Sequence, residues 1–312
     1  MKATRDALGY QLPLMGEENK NIICLNSDLA HATKMNTFAE KYPDRFFEIG
    51  IAESNMIGIA SGLSEYGYKV FISSFASFLT GKYDVIRCSI GYSNAPIIMI
   101  GTHGGMAIGK DGVTQMGLED VGLMRAIPGM VVLNPSTYTE AVEVIKYVCE
   151  TELKNPHYIR LGRQPIEDIT EKHYLQNEYI FGNGVVIKCG KDITIFTTGN
   201  ILPDVVESAT RIEESTGYSV RVVNFHTLKP IDEKIIIECA KASKYLFTVE
   251  DHSVVGGLGS IVSEVIVKNF PTRLSTIGLN DIFPESGAPS DLYEKYGLSV
   301  NKITERVIDE LD

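Results

Sequence analysis

Six strand-length apolar runs recur in order through the first half of this 312-residue chain, and they constrain its fold more than any other feature. They are Asn21–Asp28, Arg45–Gly50, Tyr68–Phe75, Ala95–Thr102, Met130–Ser136 and His157–Gly162, each bounded by turn residues. Segments with helical spacing lie between them, notably Ile51–Gly67 and Tyr138–Glu150. Runs that are apolar on both faces suit parallel strands covered by helices, whereas a half-exposed sheet would alternate. The alternation of strand and helix predicts an α/β protein built on an open, mostly parallel sheet. Gln164–Tyr179 then breaks the pattern: it is charged, has no sustained apolar period, and reads as a linker.

The pattern restarts beyond it. Gly184–Gly199 places Gly and Lys between two apolar runs, a hairpin signal. Strands in Tyr218–Thr227, Tyr245–Asp251 and Leu274–Asp281 alternate with helices in Ile231–Ser243, after the Gly-rich turn Val254–Gly259, and near Lys302–Leu311. Two parallel-sheet α/β domains are therefore expected, at 1–170 and 171–312, each near the usual domain size of about 150 residues.

Composition removes whole classes of function. The net charge of −11 would repel a phosphate backbone, so general nucleic-acid binding is not expected. No stretch approaches the roughly 20 apolar residues of a membrane helix, and Met1–Pro13 has no apolar core of a secretory signal. Cys24, Cys88, Cys149, Cys189 and Cys239 lie far apart without a CxxC pair, as reduced thiols of a cytoplasmic protein do.

Two stretches carry chemistry. In Arg45–Leu63, Glu53 falls where a strand gives way to a helix. Spacing alone favours an acid that complements the helix dipole, worth about 0.3–1 kcal/mol. It also fits a carboxylate presented at the C-terminal end of a parallel strand, where α/β folds bind ligands. In Thr102–Met130, a strand ends at Thr102-His103, a loop follows with Gly104, Gly105, Gly109, Gly112, Lys110, Asp111, Thr114 and Gln115, and a helix is expected from near Gly117. His103 alone would read as a hydrogen-bonded loop histidine. The loop as a whole holds more polar groups and glycines than a connection needs, and such loops are where sites are built.

Together these stretches resemble the second half of the transketolase family. The signatures are Gly50-Ile51-Ala52-Glu53, Ser74-Phe75-Ala76-Ser77-Phe78 (with Ser for the family's Thr), Thr102-His103 with Gly109-Lys110-Asp111-Gly112-Val113-Thr114, and Arg125–Pro128. The pyrimidine-binding domain accounts for most of Ala3–Arg163. From about Phe181 the chain is similar to the transketolase C-terminal domain, with a turn at Glu250-Asp251-His252 and Gly256-Gly257-Leu258-Gly259 read as a strand–helix junction.

The resemblance implies thiamine diphosphate as cofactor. Glu53 would hydrogen-bond N1′ of the aminopyrimidine and favour the imino tautomer that deprotonates the thiazolium; Phe75 and Phe78 would hold the ring and Asp28 would lie close to it. Arg5 and Arg163 match arginines that clamp a sugar phosphate, which suits the guanidinium fork. His103 and Asp111 match groups that orient substrate hydroxyls and assist proton movement. Three positions depart from the family: Gln115 replaces His, Ala32 (beside Thr33) replaces a phosphate-binding Ser, and Gly81 replaces a third aromatic. Lys34 or Lys110 is a candidate to compensate at the anion.

The family's Gly-Asp-Gly…Asn motif, which holds the diphosphate through Mg²⁺, is not found; Gly109–Gly112 belongs to the substrate loop. The resemblance therefore implies the C-terminal subunit of a split transketolase, with no metal ligands of its own. A separate N-terminal subunit would carry the diphosphate and Mg²⁺, in an α2β2 assembly, and a two-carbon ketol unit would pass from a ketose phosphate to an aldose. The alternatives are a deoxyxylulose-phosphate synthase-like subunit, a 2-oxoacid dehydrogenase β subunit, or a non-catalytic paralogue.

Overall fold

The structure is a computed structural model that describes residues 1–311; Asp312, the last residue of the expected second domain, lies outside the described residues. Strands β1 (Ile22–Asn26), β2 (Phe46–Glu48), β3 (Lys69–Phe75), β4 (Ile98–Thr102), β5 (Val131–Leu133) and β6 (His157–Leu161) each fall inside one of the six apolar runs. They pair in parallel in the order β5-β6-β4-β3-β1-β2. β1, β4 and β6 are buried at every residue, so nothing selects for alternation along them.

Helices cover both faces. On one, Ala7, Leu8 and Leu12 of α1 (Thr4–Glu18) pack with Val144, Ile145 and Val148 of α4 (Tyr138–Glu150). On the other lie Met56, Ile57 and Ala60 of α2 (Glu53–Glu65) and Val121 and Met124 of α3 (Asp120–Ala126). Gly16 in α1 is dictated by contact, since a Cβ there would come within 2.6 Å of the Phe38 ring.

The second sheet contains β7 (Val185–Lys188), β8 (Ile193–Thr198), β9 (Val220–Asn224), β11 (Tyr245–Ser253) and β12 (Ser275–Leu279) in the order β12-β11-β8-β9-β7. It is covered by α5 (Leu202–Thr216), α6 (Glu233–Ala242), α7 (Leu258–Asn269) and α8 (Val300–Asp309). The fold is thus two α/β units, as the sequence implies. The remaining strand, β10 (Thr227–Lys229), leaves the second unit and pairs antiparallel with β5, so that residues beyond 170 complete a seven-stranded first sheet. One apolar cluster is continuous across the junction, from Val121 and Met124 to Leu228, Ile236, Leu258 and Ile261.

Three expectations need correction. Gly184–Gly199 is not a hairpin: β7 pairs antiparallel with β9, and β9 lies between β7 and β8. Every residue of β8 is buried, as a central strand demands, and four residues suffice to cross two strand spacings of about 10 Å. Glu250-Asp251-His252 is not a turn but the end of β11; the chain turns at Val254–Gly257 before α7. The helix expected near Gly117 begins at Asp120. The 164–179 stretch is held against the first unit, because Thr139 donates through both its N–H and its hydroxyl to Asp168 Oδ2 at 2.8 Å. Among the described residues no helix is long and apolar enough to cross a membrane.

Candidate active site

The expected site residues gather at the C-terminal ends of the parallel strands, where the exposed strand termini and helix starts of an open α/β sheet form a crevice. Asp28 follows β1, Glu53 opens α2 after β2, Phe75 ends β3, His103 follows β4 and Arg163 follows β6. Arg5 joins them from α1, its N–H donating to Gly162 O at 3.3 Å.

A cavity of about 370 Å³ lies there, lined by Ser27, Asp28, Leu29, Ile51, Glu53, Ser77, Phe78, Gly81 and Lys82. Glu53 is 7% exposed and accepts a hydrogen bond from Ser74 Oγ at 3.1 Å through Oε1. Phe78 forms one wall, with the Phe75 ring stacked on it at 5.1 Å between centroids. Gly81 leaves the cavity open where an aromatic would close it, and Lys82 stands beside it. A mostly apolar cavity with one buried carboxylate in its lining and an aromatic wall suits a planar heteroaromatic ring that has a hydrogen-bonding nitrogen. On that observation the residues fit the pyrimidine of thiamine diphosphate.

Glu48 was not legible as part of this site. Its Oε1 accepts the N–H of Asp28 at 2.6 Å and of Gly50 at 3.0 Å, and so ties the turn after β1 to the turn that leads into α2.

Beside the cavity stands a basic cluster. His103 is 2% exposed, its ring 3.8 Å from that of Phe75 between centroids. Its Nδ1 lies 3.0 Å from Thr102 Oγ1 and its Nε2 3.3 Å from Arg5 Nη1. Burial, then the charges of Arg5 and Arg163, push the imidazole down to about 3, so it is neutral. A guanidinium can only donate, which makes Nε2 the acceptor and places the ring proton on Nδ1. Arg5 Nη1 also donates to Ala32 O at 2.9 Å, while Arg5 Nε is buried without a protein partner. The residue that replaces the family serine thus holds the arginine through its carbonyl. Burial lowers the Arg5 pKa, with Asp6 opposing and Arg163 adding to the effect. Lys34 forms an ion pair with Asp6 at 3.5 Å.

Arg163 donates through Nη1 to Ile108 O at 2.9 Å and pairs with Asp111, so two expected substrate groups are joined to each other. Gln115 is half-buried on the short turn Val113–Gln115 of the same loop, and Lys110 is exposed.

The ends of this loop are held by a buried network of which the sequence marked only Glu250-Asp251-His252, and those as a turn. Asp120, Tyr158 and Arg160 come from the first unit and Glu250, Asp251, His252 and Tyr293 from the second. Arg160 Nε bonds Asp120 Oδ2 at 3.0 Å, and its Nη2 donates to Gly117 O at 2.8 Å and Asp251 O at 2.9 Å. Asp251 Oδ1 accepts the N–H of Met106 at 2.9 Å and its Oδ2 the Tyr293 hydroxyl at 2.8 Å. Burial works to raise the Asp120 carboxyl, but Arg160, His252 and Tyr158 outweigh it and hold the group below the ordinary range. Glu250 instead is pushed up to about 7 by burial, against two N–H donors from Leu258 and Gly259. Gly105, with φ +85°, passes so close that a Cβ would lie 2.1 Å from Asp251 Oδ2. The five cysteines are free, and Cys24, Cys149 and Cys239 are buried. Among the described residues, no three His, Cys, Asp or Glu side chains converge as metal ligands.

Residues 1–167 match the transketolase pyrimidine binding domain, and residues 182–303 the transketolase C-terminal domain. Over 99% of its length the chain is 38% identical to the transketolase C-terminal section of Methanocaldococcus jannaschii, of which it covers 96%. It is 34% identical over 98% of its length to the transketolase of Rattus norvegicus, of which it spans 48%. Its fold superposes at a TM-score of 0.90 on a split gene transketolase solved as an inactive β4 tetramer, at 38% identity over 100% of this chain and 99% of that one. The crevice with its buried carboxylate, the order of the two units and the length of these matches agree, and the chain belongs to the transketolase family, where it corresponds to the C-terminal section.

Proposed function

We propose that this chain is the C-terminal subunit of a thiamine diphosphate-dependent transketolase that moves a two-carbon ketol unit from a ketose phosphate to an aldose in the cytoplasm. Residues 1–170 are its pyrimidine-binding domain and 171–312 its C-terminal domain. The observation that carries this reading is the buried Glu53 carboxylate lining an aromatic-walled cavity, next to a cluster of two arginines and a neutral histidine. The half-length match to a full-length transketolase supports the need for a second chain.

Thiamine diphosphate, when bound, supplies the nucleophilic carbon and the electron sink that cleavage of a ketose C2–C3 bond requires. Glu53 holds the ring nitrogen that faces it and shares a proton there, while Phe75, Phe78 and Asp28 shape the chamber. Arg5 and Arg163 clamp the distal anion of the sugar. His103, neutral and with both ring nitrogens engaged by Thr102 and Arg5, aligns the Arg5 guanidinium. Asp111 accepts from a donor hydroxyl, and Gln115 offers an amide at the position where a proton-carrying His would stand. A partner N-terminal subunit, in an α2β2 assembly, would hold the diphosphate and its Mg²⁺.

Co-expression with that subunit tests the reading. The complex is expected to transfer ketol units, and Glu53→Ala within it to lose at least about 100-fold in rate. Tight binding of thiamine diphosphate and Mg²⁺ with full turnover by this chain alone would refute the partner requirement.

A further inference from the structure

We propose that Ser74 is a positioning residue that sets how Glu53 meets the cofactor ring, from the end of a hydrogen-bonded line that begins at Arg5. This rests on reading Glu53 as the carboxylate that faces the cofactor. Ser74 is fully buried on β3. Its hydroxyl lies 3.1 Å from Glu53 Oε1, and its carbonyl oxygen 3.4 Å from Thr102 Oγ1 on the neighbouring strand.

The direction of each bond follows from donor chemistry. Arg5 Nη1 donates to His103 Nε2 at 3.3 Å, so the neutral ring donates through Nδ1 to Thr102 Oγ1 at 3.0 Å. The threonine hydroxyl then has its own proton for the Ser74 carbonyl. The Ser74 hydroxyl, facing a carboxylate, can only donate. Among the described residues no other protein donor reaches Glu53, so this one bond holds Oε1 and leaves the second oxygen for the ring nitrogen. A carboxylate with one oxygen pinned presents the other at a fixed angle; without the pin it turns about its last torsion, which is soft.

The decisive experiment compares two ligands, not two rates. The reconstituted complex is titrated calorimetrically, in Mg²⁺, with thiamine diphosphate and with the analogue that has CH in place of N1′. The wild-type complex is expected to prefer the natural cofactor. Ser74→Ala should lose about tenfold of that preference. Ser74→Val, which fills the volume of threonine without a hydroxyl, should behave alike, and Ser74→Thr should retain the preference. An undiminished preference in Ser74→Ala, equal weakening of both ligands, or a Ser74→Val that matches Ser74→Thr would each overturn the role of Ser74 while the proposed function stands. No preference in the wild-type complex would overturn the reading of Glu53, and this proposal with it.

Discussion

Asp28 and His103 hold φ angles of 60° and 61°, left-handed conformations that cost a residue with a side chain about 1–2 kcal/mol. Both lie just past the end of a parallel strand at the crevice, and backbone strain of this kind is tolerated at functional sites, although Lys34, Asn94 and Asp281 elsewhere share the conformation. Gly81 is the opposite case. Its backbone is right-handed helical, and a Cβ would meet only the Ser77 and Phe78 carbonyls at 3.4 Å. Gly81→Tyr should therefore fold normally, narrow the cavity, and tighten thiamine diphosphate binding in the complex by about two- to tenfold, read by calorimetry. Gly105→Ala should do the reverse: with φ +85° and Asp251 Oδ2 in the way, it should lower stability by at least about 1 kcal/mol in urea melts. Residues such as Glu53, Phe75, Phe78, His103 and Asp111 were legible because their motifs are local. The Ser74–Glu53 bond and the contacts of Asp251 were not, because they depend on strand register and on which side chains two distant segments bring together.

At the scale of elements, three helices end against a cation supplied from elsewhere. Lys69 Nζ, on β3, lies 2.8, 2.6 and 2.7 Å from the carbonyls of Val148, Cys149 and Thr151 at the end of α4. Lys229, on β10, reaches Arg125 O at 2.8 Å and Ile127 O at 2.7 Å behind α3. Arg45 donates to Gly16 O at 2.7 Å and Asn19 O at 3.0 Å at the end of α1. None of the three helices ends in a left-handed glycine, unlike α5, which closes on Gly217 at φ 74°. The cation both satisfies orphan carbonyls and offsets the negative end of the dipole. Lys69→Met should then cost about 2 kcal/mol, seen as a lower urea midpoint at unchanged slope. No sequence rule finds such a cap, since the basic residue lies some 80 positions from the carbonyls it serves. The helix α1 escaped for a related reason: Gly9, Pro13 and Gly16 interrupt its pattern, and only packing against α4 makes it helical.

Across the whole molecule, buried titratable groups pull in opposite directions. His103 at about 3, and His157 and His252 at about 4, lie below the ordinary histidine value of 6.5 because burial disfavours their charge. Their contribution is full above pH 6.5 and is lost as pH falls toward 4, because the unfolded chain takes up protons first. Glu250 at about 7 is raised, so its contribution is full below pH 4.5 and is lost as pH rises through 7. Glu250→Gln should therefore make stability fall more steeply between pH 6.5 and 4.5 than in the wild type, measured by thermal melts across that range. The α/β alternation was visible in the sequence because strands covered on both faces are apolar throughout. The Thr227–Lys229 strand was not: three residues carry no period, and its partner β5 lies nearly a hundred positions away. That strand has a consequence for how such chains can be recombined. A C-terminal half grafted from a relative brings its own edge for β5, and unless those three residues fit Val132 and Leu133 the recipient sheet is left with unpaired amides open to another chain. The two halves are joined less like beads on a string than like a drawer and its frame, and a chimera should be cut so that both sides of that seam come from one parent.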